Sequence, residues 1–225
     1  MEHASQVLFH VGPLEVTAEV TTMWALMALL VLVSILATKG LKDKPGTLQN
    51  IAEMAVEKLQ NYYGGILGEK RTARYFPLLA TLFIFILCNN FAGLLPGAGV
   101  IPGFKAPTSS LSVTAGLSLV VFVSLHVLGV QAHGVKGYLK RFIKPVFFML
   151  PFMLIDELVR PMSLALRLFG NIFGEETVTE QLYHIMPIGA PLLMMLLSLL
   201  FCAIQAVVFT MLTAIYIEDA TTLEE

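Results

Sequence analysis

The sequence predicts an all-α, polytopic integral membrane protein of about five transmembrane helices, the last two long and strongly inclined, with one interfacial amphipathic helix. Three observations predict it. Hydrophobic residues fill 56% of the 225 positions and charged residues only 13%, against about 25% charged in an ordinary soluble domain. Mean hydropathy is +0.78. Uncharged windows long enough to cross a hydrocarbon core of about 30 Å recur along the chain. The net charge of −2 offers no basic field for nucleic acid, so no nucleic-acid partner is expected and membrane lipid is. Cys88 and Cys202 both lie inside apolar runs, which argues against a disulfide framework or a cysteine metal site.

The chain reads as a single membrane domain, 1–225. Residues 1–19 carry Glu2, Glu15 and Glu19 and no Lys or Arg, so they lack the positive region of a cleavable signal and form an outer N-terminal segment. Residues 20–38 are free of Asp, Glu, Lys and Arg and form the first membrane helix. In 48–67, Leu48, Ile51, Ala55, Leu59, Tyr62, Tyr63 and Ile66 recur every three or four positions. That spacing suits an amphipathic helix at the interface or against a partner. Asn89, Asn90 and Pro96-Gly97 confine the next helix to 76–95, and a third window supports one over 110–132.

Residues 145–173 are apolar yet hold Asp156, Glu157, Arg160 and Arg167, and residues 181–217 hold no Asp, Glu, Lys or Arg at all. As continuous helices these would be roughly 43 and 55 Å long, longer than the core is thick, hence the inclination. Pro187 and Pro191 allow a break near the start of the last one. Orientation follows from the basic residues: Lys39, Lys42, Lys44, Lys58, Lys70, Arg71 and Arg74 in the 39–74 connection, and Lys136, Lys140, Arg141 and Lys144 in the 134–144 connection, put both on the cytoplasmic side. The connections 96–109 and 174–180, with Lys105 alone between them, face outward. The N-terminus is then outside and the C-terminus cytoplasmic.

Charges inside spans cost about 2.5 to 3.5 kcal/mol each at the centre, so each needs a partner or a task. Asp156 and Glu157 precede Arg160 by four and three residues and reach it on one helical face, a structural ion-pair cluster. Arg167 differs. Its neighbours at three and four residues are Ser163, Leu164, Gly170 and Asn171, none acidic, and the small Ser163, Gly170 and Gly174 let another backbone come close. A guanidinium never deprotonates here, so it can hold and release a carboxylate without carrying the proton. Its alternatives are a side chain reaching for headgroups, or a pair with Glu175 or Glu176 two turns later.

Glu176, Glu180 and His184 follow at steps of four, a ladder of groups suited to passing protons; for Glu175 and Glu180 a solvated acidic turn is an equal reading. A Glu-Glu-His metal site lacks a second ligand cluster, so no metal and no cofactor are expected. Ser198, Cys202 and Gln205 form a small polar stripe of the kind that usually packs helices. His126 reads as a core histidine, and His133 sits at a basic end.

The run Arg160-Pro161-Met162-Ser163-Leu164-Ala165-Leu166-Arg167-Leu168-Phe169-Gly170-Asn171 closely resembles the R/K-P-x-S-L-x-x-R-L-F-G-N signature of subunit a of F-type ATP synthases. Asn90 to Gly97 is similar to that family's N-x-x-G-L-L-P-G, and Gln205 to Tyr216 to its Q-A-x-x-F-x-x-L-x-x-x-Y. His133-Gly134 before a basic loop fits as well. One departure is Ser109-Ser110-Leu111-Ser112-Val113-Thr114, where many members carry an acid and an amide; it leaves Ser110 and Ser112 without an assigned place in an ion path.

The resemblance implies a stator that packs two inclined helices against a ring of c subunits. Two offset half-channels would serve a ring carboxylate, with Arg167 as the separating charge. Asn171 and Gln205 would line or orient the site together with Asn90 and Ser163, while Glu176, with Glu175 and His184, would serve the outer half-channel. Subunit b of the peripheral stalk and the remaining F1Fo subunits would be partners, no ATP chemistry would occur in this chain, and the setting would be a bacterial inner membrane rather than a thylakoid. A small secondary transporter is the competing reading, weakened by the lack of an internal repeat. There is no H-E-x-x-H or G-x-S-x-G setting for an intramembrane hydrolase.

Overall fold

The computed structural model describes residues 7–11, 14–39, 46–95, 104–143, 150–186 and 189–222. It opens with an antiparallel hairpin, β1 (Val7–Val11) and β2 (Leu14–Thr17), in register His10 to Glu15 and Val11 to Leu14. Short runs of β-branched and aromatic residues on either side of Gly12-Pro13 favour strands, a detail the all-α expectation did not contain. The rest is helical: α1 (Ala18–Thr38), α2 (Thr47–Leu67), α3 (Glu69–Ala92), α4 (Leu111–Ile143), α5 (Leu150–Ile185) and α6 (Gly189–Thr221), with a short 3-10 turn at Pro107–Ser109.

Among the described residues, four helices are long and apolar enough to cross a membrane, over Ala18–Thr38, Glu69–Ala92, Leu111–Tyr138 and Leu192–Thr221. The fifth expected span, α5, is not among them because its own charged residues lower its hydropathy. At 36 residues it is nonetheless about 54 Å long and packs between α4 and α6.

Helix boundaries follow local chemistry. Gly68, at φ +76°, adopts a conformation that side chains resist; it separates α2 from α3, so α3 begins seven residues earlier than the expected 76. Gly134, at φ +69° and ψ 162°, kinks α4 into 111–133 and a returning segment, so helix continues beyond the expected 132. The expected connection 174–180 is instead helix. Nothing between Gly174 and His184 breaks the hydrogen-bond ladder, and α5 stops only at Ile185, short of Pro187, because the residue before a proline is driven out of helical geometry. The last helix accordingly begins at Gly189 rather than 181. Residues 145–149, the expected start of the fourth span, lie outside the described residues.

The core is built from stripes. Val113, Leu117, Val121 and Leu125 bury one face of α4 at steps of four, and meet Leu79, Leu82 and Ile86 of α3 with Leu164 and Leu168 of α5. Ala206 and Ala214 leave α6 room to approach. Of the amphipathic stripe on α2 only the C-terminal half docks. Tyr63 and Leu67 are buried, Leu59 and Ile66 partly so, while Ile51, Ala55 and Tyr62 are exposed; the Leu48 side chain lies outside the described residues. At the end of α3, a Cβ on Gly93 would stand 2.9 Å from the Cβ of Ala106, so this glycine lets the chain after α3 close over the 3-10 turn.

Candidate functional site

The polar side chains gather in three tiers along α5. At the middle stands Arg167, half-buried, with no hydrogen bond or ion pair among the described residues. One and two turns on, a Cβ at Gly170 or Gly174 would meet nothing within 4 Å. The helix face around the guanidinium is therefore open, with Ser163 half-buried just below. Asn171 Nδ2 donates to Gln205 Oε1 at 2.5 Å and ties α5 to α6. Gln205 is buried, and its Nε2 has no partner among the described residues. One turn earlier on α6, the Cys202 carbonyl accepts from Asn90 Nδ2 at 3.3 Å, and the buried Asn90 Oδ1 has no partner among the described residues. Three predicted residues, Asn171, Gln205 and Asn90, thus form a polar layer across α5, α6 and α3 with a spare donor on Gln205 and a spare acceptor on Asn90 among the described residues, an arrangement suited to water or a carboxyl group; Arg167 stands one turn of α5 before it.

Above them is a tier of acids. Glu175 faces Ser198 of α6, and its buried Oε2 has no partner among the described residues. The Ser198, Cys202, Gln205 stripe is buried and links this tier to the one below. Glu176 faces Ser109 and lies in the field of Lys105, Glu175 and Glu19. Glu19, whose side chain is only 3% exposed, pairs with Lys105 Nζ at 3.3 Å, while its Oε2 and the Thr108 hydroxyl have no partner among the described residues. Sequence reasoning missed Glu19 and Lys105 as members of this tier. The signal was an acid in the first turn of an apolar helix and a single cation on an otherwise uncharged connection. His184 lies two turns beyond Glu176, exposed, in edge contact with Tyr183, and does not join the tier.

The third tier is at the opposite end. Arg160 Nη2 donates to Asp156 Oδ2 at 3.0 Å and Nη1 to Asp219 Oδ2 of α6 at 2.6 Å; the guanidinium also sits over the Tyr216 ring, 5.2 Å from its centre. No direct Glu157–Arg160 ion pair is formed among the described residues, although the Glu157 charge acts on the guanidinium. Glu157 turns instead toward His126 of α4, Oε1 to Nε2 at 3.7 Å. Asp219, 59 residues from Arg160, was not foreseen, since no spacing rule connects them. No group of three potential metal ligands occurs among the described residues.

Comparison with known proteins gives one consistent result. The family model described as ATP synthase A chain matches residues 20–218. ATP synthase subunit a of Moorella thermoacetica is 41% identical over 220 residues, covering 97% of this chain and 98% of the relative. ATP synthase subunit a 3 of Pelobacter propionicus is 44% identical over 205 residues, 89% and 86% of the two chains, and ATP synthase subunit a of Geotalea daltonii is 43% identical over 201 residues, 88% and 84%.

Proposed function

Because the chain belongs to the ATP synthase A chain family, we propose that it is the membrane stator of a rotary ATP synthase, carrying protons to and from a carboxylate on a ring of c subunits through two half-channels that Arg167 keeps apart. The observation that carries this reading is the state of Arg167: a permanent cation without a partner among the described residues, on an open glycine-lined face, between two polar tiers that do not touch. An unpaired charge at that depth is costly. A carboxylate delivered by another subunit removes that cost, and a rotating ring delivers one after another.

Protons enter the outer half-channel by way of Glu176, with Glu175 beside it, and reach the ring at the level of Asn171, Gln205 and Asn90. They leave toward the end where Arg160 sits. Arg167 attracts the ionised ring carboxylate, stabilises it until the next proton arrives, and cannot itself pass a proton across. The basic residues of 39–74 and 134–144 support a cytoplasmic location for the Arg160 end and an outward one for the Glu176 end. Subunit b and the remaining F1Fo subunits complete the partners, and a bacterial inner membrane is the setting.

The test is Arg167→Ala in the complex reconstituted with its ring and ATPase head. Synthesis and ATP-driven pumping should both disappear while the complex still assembles, and passive proton leak should rise. Arg167→Lys should fail or nearly fail too, because an ammonium lacks the planar fork and can deprotonate in an apolar site. Wild-type synthesis by Arg167→Ala would overturn the mechanism.

A further inference from the structure

Lys105 and Glu19 stand at the Glu176 end of the molecule, and neither has a task in the proton path as proposed. Packing is what brings them there. Ala106 is buried against Ile172 of α5 and Cys202 of α6, and Ile172 precedes Glu176 by four residues, one helical turn along the same face. Residue 105 is therefore laid beside the turn of α5 that carries Glu176. Its backbone is held from two directions. The Lys105 N–H donates to Thr22 Oγ1 of α1 at 3.4 Å, and the 3-10 turn that follows is closed by Ser109, whose Oγ donates to the Ala106 carbonyl at 2.8 Å.

The ammonium has two carboxylates to serve. Nζ lies 3.3 Å from Glu19 Oε1, and Glu176 lies in the field of the same ammonium and of Glu19 and Glu175. Glu19 is almost wholly buried, so its charge needs a counter-charge, while the Lys105 side chain is 30% exposed and keeps contact with water. The other titratable groups at this end bring no second Lys or Arg among the described residues. Along α5, Glu175 faces Ser198, Glu180 follows one turn on, and His184 lies exposed beyond it. The thiols of Cys88 and Cys202 come from α3 and α6, and His10 and Glu15 lie on the hairpin that leads into α1. Glu19, Glu175 and Glu176 thus share one cation.

We infer that the Lys105 ammonium is shared between Glu19 of α1 and Glu176 of α5, and that this division sets the pH range over which Glu176 takes up protons. The uptake step itself belongs to the proton path proposed above, on which this division of charge rests. Lys105 is a positioning residue that acts through Glu176. A cation nearby favours an ionised carboxyl and an anion a protonated one. Glu19 draws the ammonium to itself and adds its own negative field, so it opposes at Glu176 what Lys105 does. Because Thr22 and the 3-10 turn hold the backbone at 105, loss of the Glu19 carboxylate leaves the ammonium near Glu176.

The experiment uses the assembled complex in vesicles, with ATP synthesis driven at a fixed electrical potential while the pH on the Glu176 side is varied and the other side is held constant. The rate falls as that pH rises beyond the range in which Glu176 takes a proton. Lys105→Gln should move the midpoint of the fall up by about 0.5 to 1 pH unit, and Glu19→Gln should move it down by a similar amount. The double variant should lie between the two, and Lys105→Arg, which keeps the charge, should keep the parent midpoint. Where Lys105→Gln does not assemble, Glu19→Gln decides by its sign, since a merely loosened α1 would lower the rate at every pH and leave the midpoint in place. Midpoints that do not move, or that move the same way in both single variants, overturn the sharing. With Glu176→Gln slowed, that result leaves the proton path standing; parent rate and profile in Glu176→Gln would instead overturn the path itself.

Discussion

Glu176 and Asp156 are both carboxylates on α5, and their surroundings give them different work. Asp156 is an exposed acid paired with Arg160, the kind of contact that contributes about 0 to 1 kcal/mol. Glu176 is half-buried among Ser109, Lys105, Glu175 and Glu19, where a proton gained or lost changes every neighbour's energy. Glu176→Gln should therefore slow proton transport substantially with assembly intact, because an amide keeps the shape but relays no proton. Glu175→Gln should do less and His184→Gln least, which pumping rates at matched protein levels will rank. Arg167 and Asn171 were legible from the run 160–171, Glu176 from a ladder at steps of four, and Gln205 from the resemblance of the 205–216 stretch. Glu19, Lys105 and Asp219 were not, since each finds its partner across more than fifty residues, and only tertiary packing sets those distances.

Two pins hold α5 and α6 in register, Asn171 on Gln205 and Arg160 on Asp219. They are eleven residues apart on α5, roughly 16 Å, so together they fix rotation as well as sliding. Asp219→Asn weakens the lower pin without removing Asp156, and should lower the thermal midpoint of the purified chain while pumping in the full complex survives. A third tie runs from α2: Tyr63 donates to Thr210 of α6 at 2.8 Å. Burial pushes its phenol above the ordinary range, so the hydroxyl remains a donor at any working pH. The amphipathic helix over 48–67 matched its observed bounds closely, because 3.6-residue periodicity is a local property. The ends of α3, α4 and α5 shifted because Gly68 and Gly134 were not read as breakers and 174–180 was read as a connection. A glycine announces permission for positive φ, and only the packing of the downstream segment decides whether the chain takes it.

Across the whole molecule the tiers lie at opposite ends: Glu19, Lys105, Ser109 and Glu176 at one, Arg160, Tyr216 and Asp219 at the other. Single cysteines in a background lacking Cys88 and Cys202 test which end faces which compartment. Lys140→Cys should react only from the cytoplasmic side and Gly103→Cys only from the other, and reversal of both would invert the assignment. The all-α membrane class was legible because lipid demands long apolar stretches, whereas the N-terminal hairpin was hidden in a segment too short to show periodicity.

The first helix has a mechanical consequence. Only Ala18, Glu19 and Thr22 of α1 are buried, so the bundle grips it by its first turn while the remainder, out to Thr38, lies against whatever solvates the bundle. Val20 and Met23 still pack against the core, so it is a mast stepped at its foot, with the fifteen residues from Trp24 to Thr38, roughly 22 Å, beyond the step. Leverage then works from foot to tip: a small rotation where Glu19 meets Lys105 becomes a large excursion at Leu36. Spin-label distances from Leu36→Cys to a site on α3 should broaden in Lys105→Gln and stay narrow in the parent chain. The Lys105 ammonium that lies near Glu176 also holds the foot of the mast through Glu19.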